Sequence, residues 1–279
     1  MRIMNPVVPE TIIEPRTGWQ FIDWQEIKEY RDLLYFLVLR DIKVLYKQTI
    51  LGFGWAIVRP FLAMVVFTVV FGKLAKVPSD GIPYPIFSYS ALIPWTYFAS
   101  TLTASTQSLV SQSNIFTKVY FPRIFIPLTP IFAKLVDFAV AFCVLVVLMI
   151  HYGYMPGIKS LMIPFLILWL ILTASGIGIW LSALSVQYRD VKHAIEFISQ
   201  ILMYTAPVVW PVSLIPEKYR LLYGLYPMAG LIEGFRAAII DTRPIPWDLI
   251  AVGCPISLIL TLSGISYFKR TERFFADIA

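Results

Sequence analysis

Residues 51–74 read LGFGWAIVRPFLAMVVFTVVFGKL, and the fold depends on how this stretch is understood. Two glycines, a tryptophan, an arginine and a proline precede an uncharged apolar run. A run of this length suits a membrane-spanning helix. Arg59 then belongs near one end of the helix, where its long side chain snorkels toward water. Trp55 suits the headgroup level, Gly52 and Gly54 allow bending or close approach, and Pro60 favours a kink.

Five further apolar segments follow, giving six in all at roughly 50–74, 86–110, 124–152, 161–185, 194–214 and 246–268. The 279-residue chain is 58% hydrophobic and 14% charged, whereas soluble domains carry about 25% charged residues. The expected class is therefore an all-α, polytopic membrane protein. Its net charge of +6 resides mainly beside apolar segments, which points to membrane orientation and away from nucleic acid. The N-terminal arm, the 111–123 and 186–193 loops and the tail hold fourteen Lys and Arg, against seven in the opposite loops. Both termini are expected on the cytoplasmic side.

The expected organisation is a cytoplasmic arm and interface helix over 1–49, a six-helix transmembrane domain over 50–268 and a tail over 269–279. The first 18 residues lack an apolar core and read as an extended arm, not a cleaved signal peptide. Residues 19–49 are amphipathic and too charged to span, which suits a helix in the interface plane. Between the fifth and sixth segments, Pro207, Pro211, Pro216 and Pro227 punctuate an apolar stretch. Two short helices are expected at about 217–225 and 228–241, each started by a proline. They form a re-entrant hairpin over about 216–241, provided protein covers the broken backbone.

Segment two carries Ser90, Tyr97, Thr101, Ser105, Ser108 and Gln112, spaced along one helical face. Such a stripe can line a water-filled path; small hydroxyl residues are equally favoured where helices pack. Pattern alone supports both readings. Lys134 and Asp137 are spaced i, i+3, as are Glu233 and Arg236, so each pair can form an ion pair. Ala174, Gly178 and Ser182 make a small-residue stripe assigned to packing. Cys143 and Cys254 lie in apolar runs and suggest neither a disulfide framework nor a metal site.

No phosphate-binding loop is present: Gly72-Lys73 has Phe67 where the first glycine is required. Gly176 and Gly178 begin a glycine fingerprint that Leu181 breaks, and His151 and His193 lack zinc-ligand spacing. No catalytic residues and no metal ligands are assigned.

Several stretches together resemble the membrane subunit of ABC-2 type exporters, in the branch that exports O-antigen, capsule or teichoic acid. They are LGFGWAIVRPFLAMVVFTVVFG at 51–72, VYFPRIFIPLTP at 119–130, the 188–220 connection and YPMAGLIEGFRAAI at 226–239. The family often has a neutral or amide residue where Arg59 stands. The resemblance implies a homodimer with two cytoplasmic ATP-binding subunits in a bacterial inner membrane. It also implies that no cofactor is carried on this chain, with ATP and magnesium on the partner, and that the cargo is a lipid-linked glycan. It places an ATPase-coupling helix at Asn114, Phe116, Lys118 and Tyr120, and a translocation path along segment two. Ser90, Trp95, Tyr97, Phe98, Thr101, Ser105, Ser108, Tyr204 and Trp210 are the path candidates. Arg59, Lys118 and Arg123 are candidate contacts for a lipid phosphate, and Pro227, Glu233 and Arg236 mark the hairpin.

A drug or small-lipid exporter of the same superfamily is an alternative. A membrane-embedded glycosyl- or acyltransferase would need a convergent acid, base or metal site, which the sequence does not offer. An ion-coupled secondary transporter would need an intramembrane coupling site, for which Lys134 and Asp137 are the candidates.

Overall fold

A computed structural model describes residues 24–47, 52, 54–112, 121–241, 243–272 and 275. Those residues contain helices and no strands. Helix α1 (Trp24–Glu29) and α2 (Arg31–Lys47) are separated by a turn at Tyr30. Helix α3 (Gly54–Phe67) runs into a π-helical stretch over Thr68–Leu74. Then come α4 (Tyr84–Ser111), α5 (Phe125–Ala133), α6 (Leu135–His151), α7 (Ile163–Gln187), α8 (Val191–Thr205), α9 (Glu217–Tyr223), α10 (Pro227–Ile240) and α11 (Trp247–Thr271).

Among the described residues, four helical stretches are long and apolar enough to cross a membrane: Gly54–Leu74, Phe125–His151, Ile158–Gln187 and Trp247–Thr271. They match the first, third, fourth and sixth expected spans. Helix α4, the second, has 28 residues, but its hydroxyl residues dilute its apolar character. Helix α8, the fifth, has 15 residues. At 1.5 Å per residue it rises about 22 Å, less than the ~30 Å hydrocarbon core. The apolar pattern extends to 214, yet the helix ends at Thr205. Ala206 takes an extended conformation (ψ 150°), as the residue before Pro207 is biased to do.

Helix α4 is the hub, packing against α3, α5, α6, α7, α8 and α10. A moderately polar helix occupies the centre because Ser, Thr and Ala allow close approach and their hydroxyls are satisfied by nearby carbonyls. Thr106 donates to Leu102 at 2.7 Å, and Ser185 of α7 donates to the Thr106 carbonyl at 2.6 Å. The small-residue stripe on α7 is buried as expected, with Gly178 facing Ser105 and Ser182 facing Ser108. On its other side α7 meets α11. A Cβ on Gly176 would come within 2.7 Å of the Thr261 backbone, so glycine sets this helix spacing.

The expected short helices end within a few residues of their sequence-based limits. Pro216 precedes α9, Pro227 opens α10, and Asp241 terminates α10 with φ 55°. Every residue of α10 is buried, and it packs against α4, α7 and α11. Helix α2 lies against α5, burying Leu37 and exposing Tyr35, Phe36, Val44 and Leu45. The chain turns from α2 toward α3 at Gly52, whose φ of 49° favours glycine. Cys143 and Cys254 are unbridged.

Candidate functional site

The stripe read as a path on segment two lies inside the protein. Ser90, Thr101 and Ser105 have no exposed surface, and Tyr97, Ser108, Trp95 and Phe98 are buried with them. Ser105 Oγ donates to the Pro127 carbonyl at 3.0 Å and Tyr97 Oη to the Ile131 carbonyl at 3.0 Å, both on α5. Ser90 and Ser108 bond to carbonyls of their own helix. Through Tyr97 and Ser105 this face joins α4 to α5. Trp95 and Phe98 contact each other at 5.7 Å within the same core. The spacing was legible; what covers the face depends on α5 and α7, which a single helical period does not encode.

A different face of α4 reaches the surface. Thr96, Ser100, Thr103, Gln107 and Ser111 are exposed or half-buried at spacings of 4, 3, 4 and 4. This second polar stripe could have been found from the sequence by the same periodicity. Near the C-terminal end of α4, Gln107 Nε2 donates to Glu196 Oε1 of α8 at 3.4 Å. Nearer the N-terminal end, Thr96 and Ser100 line a cavity of about 200 Å³ beneath α2, α3 and α6. Tyr204 is 58% exposed on α8; Trp210 is half-buried, its ring 5.7 Å from that of Tyr223.

The same cavity brings Arg59 together with Lys134 and Asp137. The expected Lys134–Asp137 ion pair forms at 3.1 Å, and Tyr46 of α2 also donates to Asp137. Burial, reinforced by the hydrogen bond and negative charge of Asp137, raises the Tyr46 hydroxyl above its ordinary pKa. Arg59 is exposed and lies over the Trp55 ring at 5.5 Å. Arg123, grouped with Arg59 from the sequence, instead donates to the Glu272 carbonyl at 2.7 Å, at the C-terminal end of α11. Asn114, Phe116, Lys118 and Tyr120 fall outside the described residues.

The break after α8 is held by a buried charge network. Arg236 Nη1 donates to Glu233 Oε2 at 2.6 Å, the i, i+3 pair expected from the sequence. Its Nη2 reaches the Pro207 carbonyl at 2.8 Å and the Phe87 carbonyl at 3.3 Å, and the guanidinium lies 3.7 Å from the Phe87 ring centroid. Glu233 Oε1 accepts from Arg243 at 2.8 Å, and Arg243 also pairs with Asp80. Burial lowers the pKa of the Arg243 guanidinium. Tyr84 Oη donates to the Val209 carbonyl at 2.7 Å. Ala206, Pro207, Val208 and Val209 are all buried, so this irregular backbone is covered, and its Pro207 and Val209 carbonyls accept from side chains. That satisfies the condition for broken backbone at membrane depth. The links to Asp80 and Arg243 cross from one loop to another and have no local sequence signal.

Among the described residues no three His, Cys, Asp or Glu side chains gather as metal ligands. What the residues form is a helical membrane bundle with a covered chain break and a surface-exposed polar stripe, the features of a multi-pass permease. The family comparison gives that class its identity: residues 32–240 match the ABC-2 type transporter family, and the chain belongs to it. It is 28% identical over 248 residues to an O-antigen export system permease protein RfbA of Klebsiella pneumoniae, covering 88% of this chain and 95% of that protein. The Myxococcus xanthus protein of the same name is 27% identical over 257 residues, covering 91% and 97%. The polysialic acid transport protein KpsM of Escherichia coli is 23% identical over 244 residues, covering 85% and 92%.

Proposed function

We propose that this chain is the membrane subunit of an ATP-driven exporter of lipid-linked polysaccharide, of the O-antigen or capsule type, in a bacterial inner membrane. The observation that carries the mechanism is the exposed stripe of Thr96, Ser100, Thr103, Gln107 and Ser111 on α4. A row of hydroxyl and amide groups, linked at Gln107 to the Glu196 carboxylate, is poorly matched to lipid tails. A second copy of the chain would cover it and leave a polar passage between the two. Six spans with both termini cytoplasmic follow if α4 and α8, the latter completed by the covered 206–214 segment, cross with the four apolar helices. Helices α9 and α10 are then the re-entrant hairpin on the outer side.

The stripe suits a sugar polymer. Hydroxyl and amide groups exchange hydrogen bonds with sugar hydroxyls, and Tyr204 and Trp210 offer ring faces. Many weak contacts let a chain slide, because each must also release. With ATP and magnesium on a separate cytoplasmic subunit, this chain needs no phosphate-binding loop of its own, and its sequence carries none. The 111–123 loop is the proposed dock for that subunit, and Lys118→Glu should weaken docking. Teichoic acid is the nearest alternative cargo.

The test is transport in inverted membrane vesicles. ATP-dependent movement of lipid-linked polymer into the lumen should require both this chain and its ATPase partner. Movement that persists without the partner would contradict the proposal.

A further inference from the structure

Where α4, α7 and α11 finish, the bundle has a second apolar core, distinct from the larger one around α10. It draws on Leu37 of α2, Leu109 of α4, Phe121, Ile179 of α7, Phe268 of α11 and Phe275. Phe275 stands beyond the last turn of α11, yet it has no exposed surface, and its ring meets that of Phe268 edge-on at 5.4 Å. Full burial of an aromatic ring is a large apolar gain, so Phe275 ties the segment after α11 into this core. None of these side chains belongs to the exposed stripe of α4.

The same core grips both flanks of the 113–120 stretch. Leu109 sits about one helical turn before it, and Phe121 is the residue after it; they are 1% and 5% exposed. Arg123 adds a polar tie close by. Its Nη1 donates to the Glu272 carbonyl at 2.7 Å, at a helix end whose last carbonyls lack intrahelical partners and which favours a cation. The Glu272 carboxylate in turn accepts from Lys269 at 3.2 Å. Helix α11 is itself seated closely on α7, because a Cβ on Gly264 would collide with the Gly176 carbonyl oxygen. The exit from 113–120 is thus pinned to a close-packed pair of helices.

We propose that Phe275 and Arg123 are positioning residues for the ATPase subunit: they tie the 113–120 stretch to the end of α11 and hold the dock in the posture that the subunit binds. This rests on the exporter reading, which puts the subunit on the 111–123 loop, and it adds the segment after α11 to the coupling apparatus. Phe275 is fully buried, so it acts through the core and not by touching the subunit. A docking segment that holds its competent posture only part of the time binds with an affinity reduced by that fraction. The ring and the guanidinium keep that fraction high.

The ATP-binding subunit recovered with the wild-type chain is stripped from it and titrated back onto each purified full-length variant, with binding and ATP hydrolysis both recorded. Phe275→Ala should raise the dissociation constant roughly tenfold, the change expected when the competent posture falls to about a tenth of the population. Arg123→Gln should shift it the same way. Phe275→Leu, which keeps most of the apolar volume, should stay near wild type. Hydrolysis at saturating subunit should match wild type throughout, because the dock is populated less and not altered. Phe235→Ala removes a similarly buried ring from α10 at the other end of the bundle. It reports loss of stability alone and should leave the constant unchanged. Wild-type affinity in Phe275→Ala, or an equal loss in Phe235→Ala, overturns the inference; where Phe275→Ala yields too little folded chain, Arg123→Gln decides by the same rule. Either result leaves the exporter reading intact. A wild-type chain that brings and binds no such subunit removes that reading, and this inference with it.

Discussion

Arg236 donates to the Pro207 carbonyl at 2.8 Å, so a guanidinium on α10 closes the break that Pro207 opens after α8. Its partner Glu233 is bound in turn by Arg243, which ties the helix to the loop that follows it. Arg236 has no solvent-exposed surface, and removing it leaves the Pro207 and Phe87 carbonyls without their donor and Glu233 with Arg243 alone. Arg236→Met should destabilise the protein by about 1–3 kcal/mol, the cost of leaving buried acceptors unsatisfied. Arg236→Lys should recover little, because an ammonium cannot reproduce the planar fork. Thermal unfolding in detergent measures this; wild-type stability in Arg236→Met would show that the break is held by other contacts.

The two polar stripes of α4 should respond in opposite ways. Ser105 bonds to the Pro127 carbonyl and faces Gly178, so Ser105→Leu should overpack the α4–α7 contact by about 1–3 kcal/mol and reduce accumulation of folded protein. Thr103 is half-exposed, so Thr103→Trp should fold normally and impair export. Export and detergent-extracted yield are measured side by side. Unimpaired export by Thr103→Trp would remove the exposed stripe from the passage.

The α7–α11 spacing should depend on Gly176. A Cβ there meets the Thr261 backbone, which cannot rotate away, whereas a Cβ at Gly81 meets nothing within 4 Å. Gly176→Ala should cost about 1–3 kcal/mol. Gly81→Ala carries only the strain of its φ of 82°, about 1–2 kcal/mol. Comparable Tm losses with no excess at Gly176 would argue against close packing at this seam.

The proposed orientation rests on the Lys and Arg bias. Cysteines introduced as Arg2→Cys and Asp277→Cys, in a chain lacking Cys143 and Cys254, should react with an impermeant thiol reagent only from the cytoplasmic side. Labelling of either from outside would overturn the six-span arrangement.

Local features were legible in the sequence, and features that depend on neighbours were not. Pro216 and Pro227 placed the starts of α9 and α10, because proline fixes a helix start without help from distant residues. The pairs Lys134–Asp137 and Glu233–Arg236 were readable from i, i+3 spacing and formed as expected. The polar face of α4 was legible as a face, but its burial was not, since hydroxyls that pack helices and hydroxyls that line water share one periodicity. Spacing alone cannot rank one face over another: Ser100 and Gln107 lie on a stripe as regular as that of Thr101 and Ser105. Tyr46 meets Asp137 across 91 residues, and Arg243 meets Asp80 across two loops; no window of sequence contains either contact. The early end of α8 had a local cause in Pro207, but the apolar run beyond it masked the change from helix to covered, irregular backbone.

A permease that works with an ATP-hydrolysing partner should bring that partner with it when it is isolated from the native membrane. The chain is purified in mild detergent and its companions are identified and quantified by mass spectrometry. A near-equimolar cytoplasmic subunit bearing a phosphate-binding loop is the expected result. If the chain came out alone and still transported after reconstitution, the ATP-driven reading would fail, and Lys134 with Asp137 would become the site to examine for ion coupling.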